Sequence, residues 1–256
     1  MSAFLDVTIL SALQGVAEFL PISSSGHLVI GQHLLGVNEP GMRLDVMLHF
    51  GTLVSICAFY WRTILRIVTR FEWRYVLKIV LSALPAIAVY VCLKSTIEGL
   101  FENAKAVGAC LVFTGVVLAG TRFMPRGGRD VDWLRAFLMG CAQAVALLPG
   151  VSRSGMTLAG ARAGRVDSEK AAEFSFLMSA PLIAGGALLE AVKALRVAPA
   201  ASGAEIGWGV TLYGAALAAV VGYFSLRLLV KALKGRWFWL FGPYCVAAGL
   251  LTLFLV

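Results

Sequence analysis

Six runs of mostly apolar residues constrain this chain more than anything else: 43–61, 75–93, 105–121, 171–189, 208–226 and 237–256. A bilayer's hydrocarbon core is crossed by about 20 helical residues, and only helices and closed barrels satisfy their own backbone there. Only 14% of the 256 residues are charged, well below the roughly 25% of soluble domains. The expected fold is an all-α polytopic membrane protein, a single membrane domain with six spans. The first residues, "MSAFLDVTILSALQG", lack a basic start and carry Asp6, so they are expected to stay in the mature chain.

Two further apolar regions, 3–36 and 132–163, are each interrupted by a cluster of Pro, Gly and Ser. Such a cluster breaks a helix, and these regions are expected to form re-entrant hairpins. Sliding the chain against itself by 129 residues lays "QGVAEFLPISSSGHLVIG" (14–31) over "QAVALLPGVSRSGMTLAG" (143–160) without a gap. Seven of these eighteen positions are identical: Gln14/Gln143, Val16/Val145, Ala17/Ala146, Ser23/Ser152, Ser25/Ser154, Gly26/Gly155 and Gly31/Gly160. The alignment predicts internal repeats at about 1–128 and 129–256, each one hairpin plus three spans. An odd number of crossings per repeat inverts the second half in the membrane.

Loop charges set the orientation. Arg62, Arg66, Arg70 and Arg74 outweigh Glu72, whereas Lys94, Glu98, Glu102 and Lys105 balance. The segment 122–135 is basic again, 190–207 is neutral, and Arg227, Lys231, Lys234 and Arg236 form a strongly basic loop. Basic loops face the cytoplasm, and the alternation is consistent only if both hairpins re-enter. The first hairpin then opens to the outer side and the second to the inner side. The net charge of +8 thus reflects topology, and no nucleic-acid partner is expected. Cys57, Cys92, Cys110, Cys141 and Cys245 are scattered through apolar segments and read as packing residues. His33 and His49 read as packing or interface histidines, and Gly115, Gly120, Gly185 and Gly186 as sites of close helix packing.

Helix breaks inside a bilayer persist only where protein or a water-filled cavity covers the freed backbone groups. Ser23, Ser24 or Ser25 is suited to cap the half-helix that runs through His27, and Ser152 or Ser154 the second one. Two helix N-termini near the midplane make an anion site. The repeat superposes Ser24 on Arg153, which predicts that the two approach each other across the cavity, a nucleophile facing a guanidinium suited to phosphate oxygens. Glu18, His27 and Arg153 are costly at membrane depth and therefore functional candidates. A Glu18–His27 pair beside a serine is what phosphoryl transfer to the serine hydroxyl needs. A buried ion network of purely structural role is the alternative.

At these residues the chain resembles a known family. "QGVAEFLPISSSGHL" and "PGVSRSGMT" (149–157) are similar to the two signature motifs of the integral-membrane undecaprenyl-diphosphatases, also called bacitracin-resistance proteins. "LDVMLHFGTLVSICAFYWR" and "EFSFLMSAP" follow in the family's order, so the resemblance covers essentially the whole chain. The family removes the terminal phosphate of undecaprenyl diphosphate, regenerating the monophosphate carrier of peptidoglycan synthesis. The resemblance places the family's acidic element on Gln14 and Glu18, its serine and histidine on Ser24 and His27, and its second motif on Pro149, Gly150, Ser152, Arg153, Ser154 and Thr157. It also implies a divalent cation, Mg2+ or Ca2+, with Glu18 as a ligand. Many members carry Glu where this chain has Gln14, and an amide is a weaker ligand for a hard cation.

The expected mechanism has the diphosphate head of a prenyl lipid entering from the outer leaflet of the bacterial plasma membrane. Arg153, Gln14, Ser23, Ser25, Ser152, Ser154 and Thr157 bind it. Ser24 attacks with His27 as base and Glu18 as orienter or cation ligand; a variant has His27 as the nucleophile. A lipid transporter or flippase is the competing expectation, because inverted repeats with broken helices are a transporter architecture. Membrane lipids are the other expected partners, and a homodimer is compatible with an apolar outer face.

Overall fold

The structure is a computed structural model that describes residues 3–35, 42–101, 103–196 and 207–255. The side chains of residues 3, 32–34, 42, 43, 189–191, 193–196 and 255 lie outside that description. His33, Glu102 and most of the expected neutral loop at 190–207 fall outside it.

Among the described residues the fold is all helical, with one isolated bridge between Arg129 and Val166. The chain begins with α1 (Ala3–Ala17), a break, and α2 (Ser24–Leu35). Next come α3 (Met42–Phe59), α4 (Trp61–Thr69), α5 (Trp73–Phe101) and α6 (Ala104–Gly120). The pattern of two short helices around a break recurs in α7 (Trp133–Val145) and α8 (Arg153–Ala163). The chain closes with α9 (Ser168–Arg196), α10 (Trp208–Gly235) and α11 (Phe241–Leu255).

Four helices, α5, α6, α9 and α10, are long and apolar enough to cross a membrane on their own. The chain is therefore an integral membrane protein. Two of the six expected spans differ in detail. The run at 43–61 does not continue straight: α3 and α4 meet at Tyr60 with a bend of 71°. Beyond the bend, α4 carries Arg62 and Arg66 among apolar residues and buries none of its side chains. Its amphipathic pattern is of the kind found in helices that lie along a membrane surface. The last run starts with a short 3-10 turn, Phe238–Leu240, so α11 itself has only 15 residues.

The hairpin helices are no longer than α11. The longest, α1, has 15 residues, about 22 Å at 1.5 Å per residue against a core of about 30 Å. None of α1, α2, α7 and α8 crosses alone.

α1 packs on α10, α7 on α5, α3 on α9, and α6 along α11. Small residues set the closest approaches where lipid supplies no hydrophobic drive between helices; of the four glycines expected there only Gly115 does so, since a Cβ on Gly120, Gly185 or Gly186 meets nothing within 4 Å. A Cβ built on Gly115 falls 2.6 Å from the Gly242 carbonyl oxygen, and one on Gly242 falls 2.7 Å from that of Gly115. Gly51 sits against the backbone of Ala215 in the same way, joining α3 to α10. Large apolar side chains face outward on the helices, Val91 72% and Phe254 84% exposed. Phe19, Phe174, Phe176 and Phe238 are buried.

Candidate active site

Both helix breaks end in a serine cap. Ser23 precedes α2, and its Oγ accepts from the Gly26 amide at 3.4 Å; Ser152 precedes α8 and accepts from the Gly155 amide at 3.1 Å. The two caps are 129 residues apart, in the repeat register. Their backbones differ, since Ser23 is left-handed with φ 70° and Ser152 extended with φ −74°. In the second break the left-handed residue is Gly150, φ 91°. The breaks touch: a Cβ on Gly26 would lie 3.3 Å from the Gly150 Cα. Ser154 Oγ also donates to the Leu20 carbonyl at 3.3 Å, across the two hairpins.

Capping fixes Ser24 and Arg153 as the first residues of α2 and α8, and both reach Glu18. Ser24 Oγ donates to Glu18 Oε2 at 2.7 Å, and Arg153 Nη2 donates to Oε1 at 2.5 Å. Gln14, in the last turn of α1 and four residues before Glu18, donates through Nε2 to Oε2 at 3.2 Å. The carboxylate is only 7% exposed and Arg153 17%. A buried charge persists when it is paired and hydrogen-bonded, and Glu18 has three donors. The arginine also lies 5.8 Å from the centre of the Phe176 ring. Its Nη1 is buried without a hydrogen-bond partner.

The expected Glu18–His27 pair is not what the structure contains. His27 Nδ1 is 2.9 Å from the Ser23 carbonyl oxygen, which only accepts, so this nitrogen carries the proton. Nε2 is 2.8 Å from the hydroxyl of Tyr244 on α11, and the two rings stack at 5.6 Å. The break turns Ser24 toward α1, while His27 lies one turn further along α2 and faces α11. The acid–base side chain in contact with the Ser24 hydroxyl is therefore Glu18 rather than His27.

The remaining expected binding residues fall into two groups. Ser23 and Ser25 hydroxyls lie 3.4 Å apart, and those of Ser152 and Ser154 lie 3.3 Å apart. Ser25 is half-buried, and the other three are buried. Thr157 is turned away from Glu18: its Oγ1 donates to the Arg153 carbonyl at 2.9 Å and lies 2.6 Å from Ser175 Oγ. It supports the first turn of α8 from behind.

Three residues of this neighbourhood were not singled out in the sequence. Tyr244 partners His27, and Phe176 lies against Arg153. Thr114 on α6 holds the second break, accepting from the Ser152 amide and donating to the Gly150 carbonyl, both at 3.1 Å. Only Phe176 had a signal, since it lies within the "EFSFLMSAP" stretch.

Among the described residues no group of three or more His, Cys, Asp and Glu is placed to hold a metal ion. The oxygen donors at the site do suit a hard cation shared with a phosphate ligand. Glu18 is a carboxylate, and beside it Gln14 Oε1 is buried without a hydrogen-bond partner. Mg2+ is often held by one or two carboxylates together with substrate phosphates.

A separate cavity of about 610 Å³ opens among Tyr60, Arg66, Tyr75, Lys78, Lys170 and Glu173. Tyr60 stacks on Phe176 at 6.5 Å, so these two rings stand between that cavity and Arg153.

A helical membrane protein that joins a buried carboxylate, a serine and an arginine at two abutting helix breaks has the parts of an intramembrane phosphate-handling enzyme. Comparison with known proteins agrees. Residues 7–251 match the family described as "Bacitracin resistance protein BacA", and this chain belongs to it. A protein named undecaprenyl-diphosphatase from Rhodopirellula baltica is 38% identical over 260 residues, covering 100% of this chain and 99% of its own. Proteins of the same name from Desulforapulum autotrophicum and Methanosphaera stadtmanae are 35% and 34% identical, covering 96% and 100% of this chain and 95% and 99% of theirs.

Proposed function

We infer that this protein is an undecaprenyl-diphosphatase, an enzyme that hydrolyses the terminal phosphate of the C55 prenyl diphosphate and leaves the monophosphate carrier for peptidoglycan synthesis. The observation that carries this reading is the contact of Ser24 and Arg153 with the two oxygens of buried Glu18. A transporter has no need to gather a nucleophile, a base and a guanidinium on one point, whereas phosphoryl transfer does.

The prenyl chain stays in lipid while the diphosphate reaches the paired breaks. Arg153 and the hydroxyls of Ser25, Ser152 and Ser154 bind phosphate oxygens, with the first-turn amides of α2 and α8 contributing their positive ends. Ser24 Oγ attacks the terminal phosphorus, and its proton passes to Glu18. The bond from that phosphorus to the bridging oxygen breaks, and undecaprenyl monophosphate leaves with the electron pair. Water then attacks the phosphoserine phosphorus, the bond to the Ser24 oxygen breaks, and Glu18 returns its proton to that oxygen, releasing inorganic phosphate and restoring the hydroxyl. His27, with its Tyr244 partner, moves the water's proton in this second step. Arg153 neutralises the charge spread over the phosphoryl oxygens, the main task in such reactions. Glu18 and the free Gln14 amide oxygen would hold a divalent cation against the substrate phosphates, where it would supply further charge neutralisation.

The same reading takes 1–128 and 129–256 as inverted repeats. Matching order of elements supports it, as does the crosswise packing of α1 on α10 and α7 on α5. By loop charge the enzyme sits in the bacterial plasma membrane with the first hairpin open to the outer side. The test is conversion of undecaprenyl diphosphate by the purified protein, followed as monophosphate and inorganic phosphate formed in equal amounts. Transport of the lipid across vesicles without phosphate release would overturn the reading.

A further inference from the structure

Three segments at the basic end of the bundle bring arginines to one place. Arg126, in the turn after α6, donates from Nη2 to the Lys234 carbonyl at the end of α10, at 2.6 Å. Arg162, in the last turn of α8, donates from Nη2 to the Met124 carbonyl at 3.5 Å, two residues before Arg126. Arg236 ends α10 in a left-handed conformation, φ 69°, two residues beyond the carbonyl that Arg126 holds. The turn that carries Arg126 thus accepts from Arg162 at Met124, and Arg126 in turn holds the chain two residues before Arg236.

Some cations nearby have carboxylate partners, Lys170 with Asp130, Arg135 with Asp132 and Lys234 with Glu169, whereas Arg122, Arg129 and Arg165 make no ion pair among the described residues. Among the described residues Arg126, Arg162 and Arg236 likewise have no carboxylate within ion-pair distance. Arg162 Nε is in addition a buried donor without an acceptor. The cluster is bordered by Trp239, with Arg122 4.6 Å above its ring, an aromatic of the kind enriched at headgroup level. Orienting a loop requires only that basic residues lie in it. It does not require three guanidiniums from three segments to converge unpaired.

We propose that Arg126, Arg162 and Arg236 form a binding site for the phosphate of an anionic phospholipid at the basic face of the protein. The ligand's oxygens accept from the free guanidinium donors, and its charge relieves the repulsion among them. The site is distinct from the Glu18 cluster. It lies at the other end of α8, nine residues after Arg153, about 14 Å along the helix. A lipid held there fixes the end of the helix whose start carries Arg153.

The test is thermal unfolding of the delipidated full chain in neutral detergent with added phosphatidylglycerol, phosphatidylcholine or inorganic phosphate. Phosphatidylglycerol is expected to raise the wild-type midpoint by about 5 °C at saturation, the other two having little effect. Arg126→Gln/Arg162→Gln should need about tenfold more phosphatidylglycerol for half the shift. Arg236→Gln should move the same way and decides the matter if the double variant does not fold. Arg70→Gln, in another basic loop, should respond as the wild type. Equal wild-type shifts with both lipids, or cluster variants that respond like Arg70→Gln, would overturn the site. A full shift with inorganic phosphate alone would overturn the lipid as its ligand.

Discussion

Ser24 and Arg153, 129 residues apart and each the first residue of a half-helix, hold the two oxygens of one carboxylate, Glu18. Neither half of the chain contains this arrangement alone. Glu18 and Ser24 come from the first hairpin and Arg153 from the second, so the site exists only when the two breaks abut at Gly26 and Gly150.

If Ser24 is the nucleophile, Ser24→Ala should lower kcat at least about a thousandfold. A phosphoserine at position 24 should be trapped when wild type and labelled substrate are quenched within one turnover. Near-normal turnover in Ser24→Ala, with activity abolished in His27→Gln, would move the nucleophile to His27.

Tyr244 reaches the His27 nitrogen that carries no proton in the neutral ring. Tyr244→Phe keeps the stacked ring and removes only the hydroxyl. We expect kcat to fall about tenfold with KM little changed, less than the roughly hundredfold or more of a proton-transfer group itself, because Tyr244 acts through His27. An equal fall in a His27→Ala background would show that the hydroxyl does not act through His27.

Much of this was legible in the sequence because it depends on local chemistry. Pro, Gly and Ser break helices wherever they cluster, so both hairpins and both serine caps could be read from 14–31 and 143–160. The equivalence of Ser24 and Arg153 came from the repeat offset, and the structure brings the pair together. Spacing alone could not show which way each side chain turns after a break. Glu18 and His27 are nine residues apart with a left-handed Ser23 between them, and that turn sends Ser24 to Glu18 and His27 to Tyr244. Tyr244 itself is one aromatic among many in apolar helices, and nothing local marks it as the partner of a residue 217 positions away.

Gln14 tests the cation. Its Oε1 lies buried and unpartnered beside Glu18, and a carboxylate at this position would bind a hard cation more tightly than an amide. Gln14→Glu is expected to lower the Mg2+ concentration for half-maximal activity about tenfold, and Gln14→Leu to raise it. A titration unchanged in both variants would remove position 14 from the cation's shell.

Close helix approaches predict stability effects independent of catalysis. Gly115 and Gly242 each lie against the other's backbone carbonyl, so no flexible side-chain tip can yield to an added methyl group. Gly115→Ala should destabilise the folded protein by about 1–3 kcal/mol. Gly99→Ala, where a Cβ meets nothing within 4 Å, should be neutral or slightly stabilising. Thermal unfolding of the two variants side by side checks this.

The most direct test of the account is phosphate release from undecaprenyl diphosphate by wild type and Arg153→Ala, each shown to be folded and each supplied with Mg2+. Arg153 bridges the hairpins through Glu18 and is proposed to bind the phosphoryl group, so its loss should lower kcat/KM at least about a hundredfold. Arg153→Lys should recover little, because an ammonium cannot reproduce the planar fork. A folded Arg153→Ala that releases phosphate at the wild-type rate would contradict the assignment of this buried cluster to catalysis.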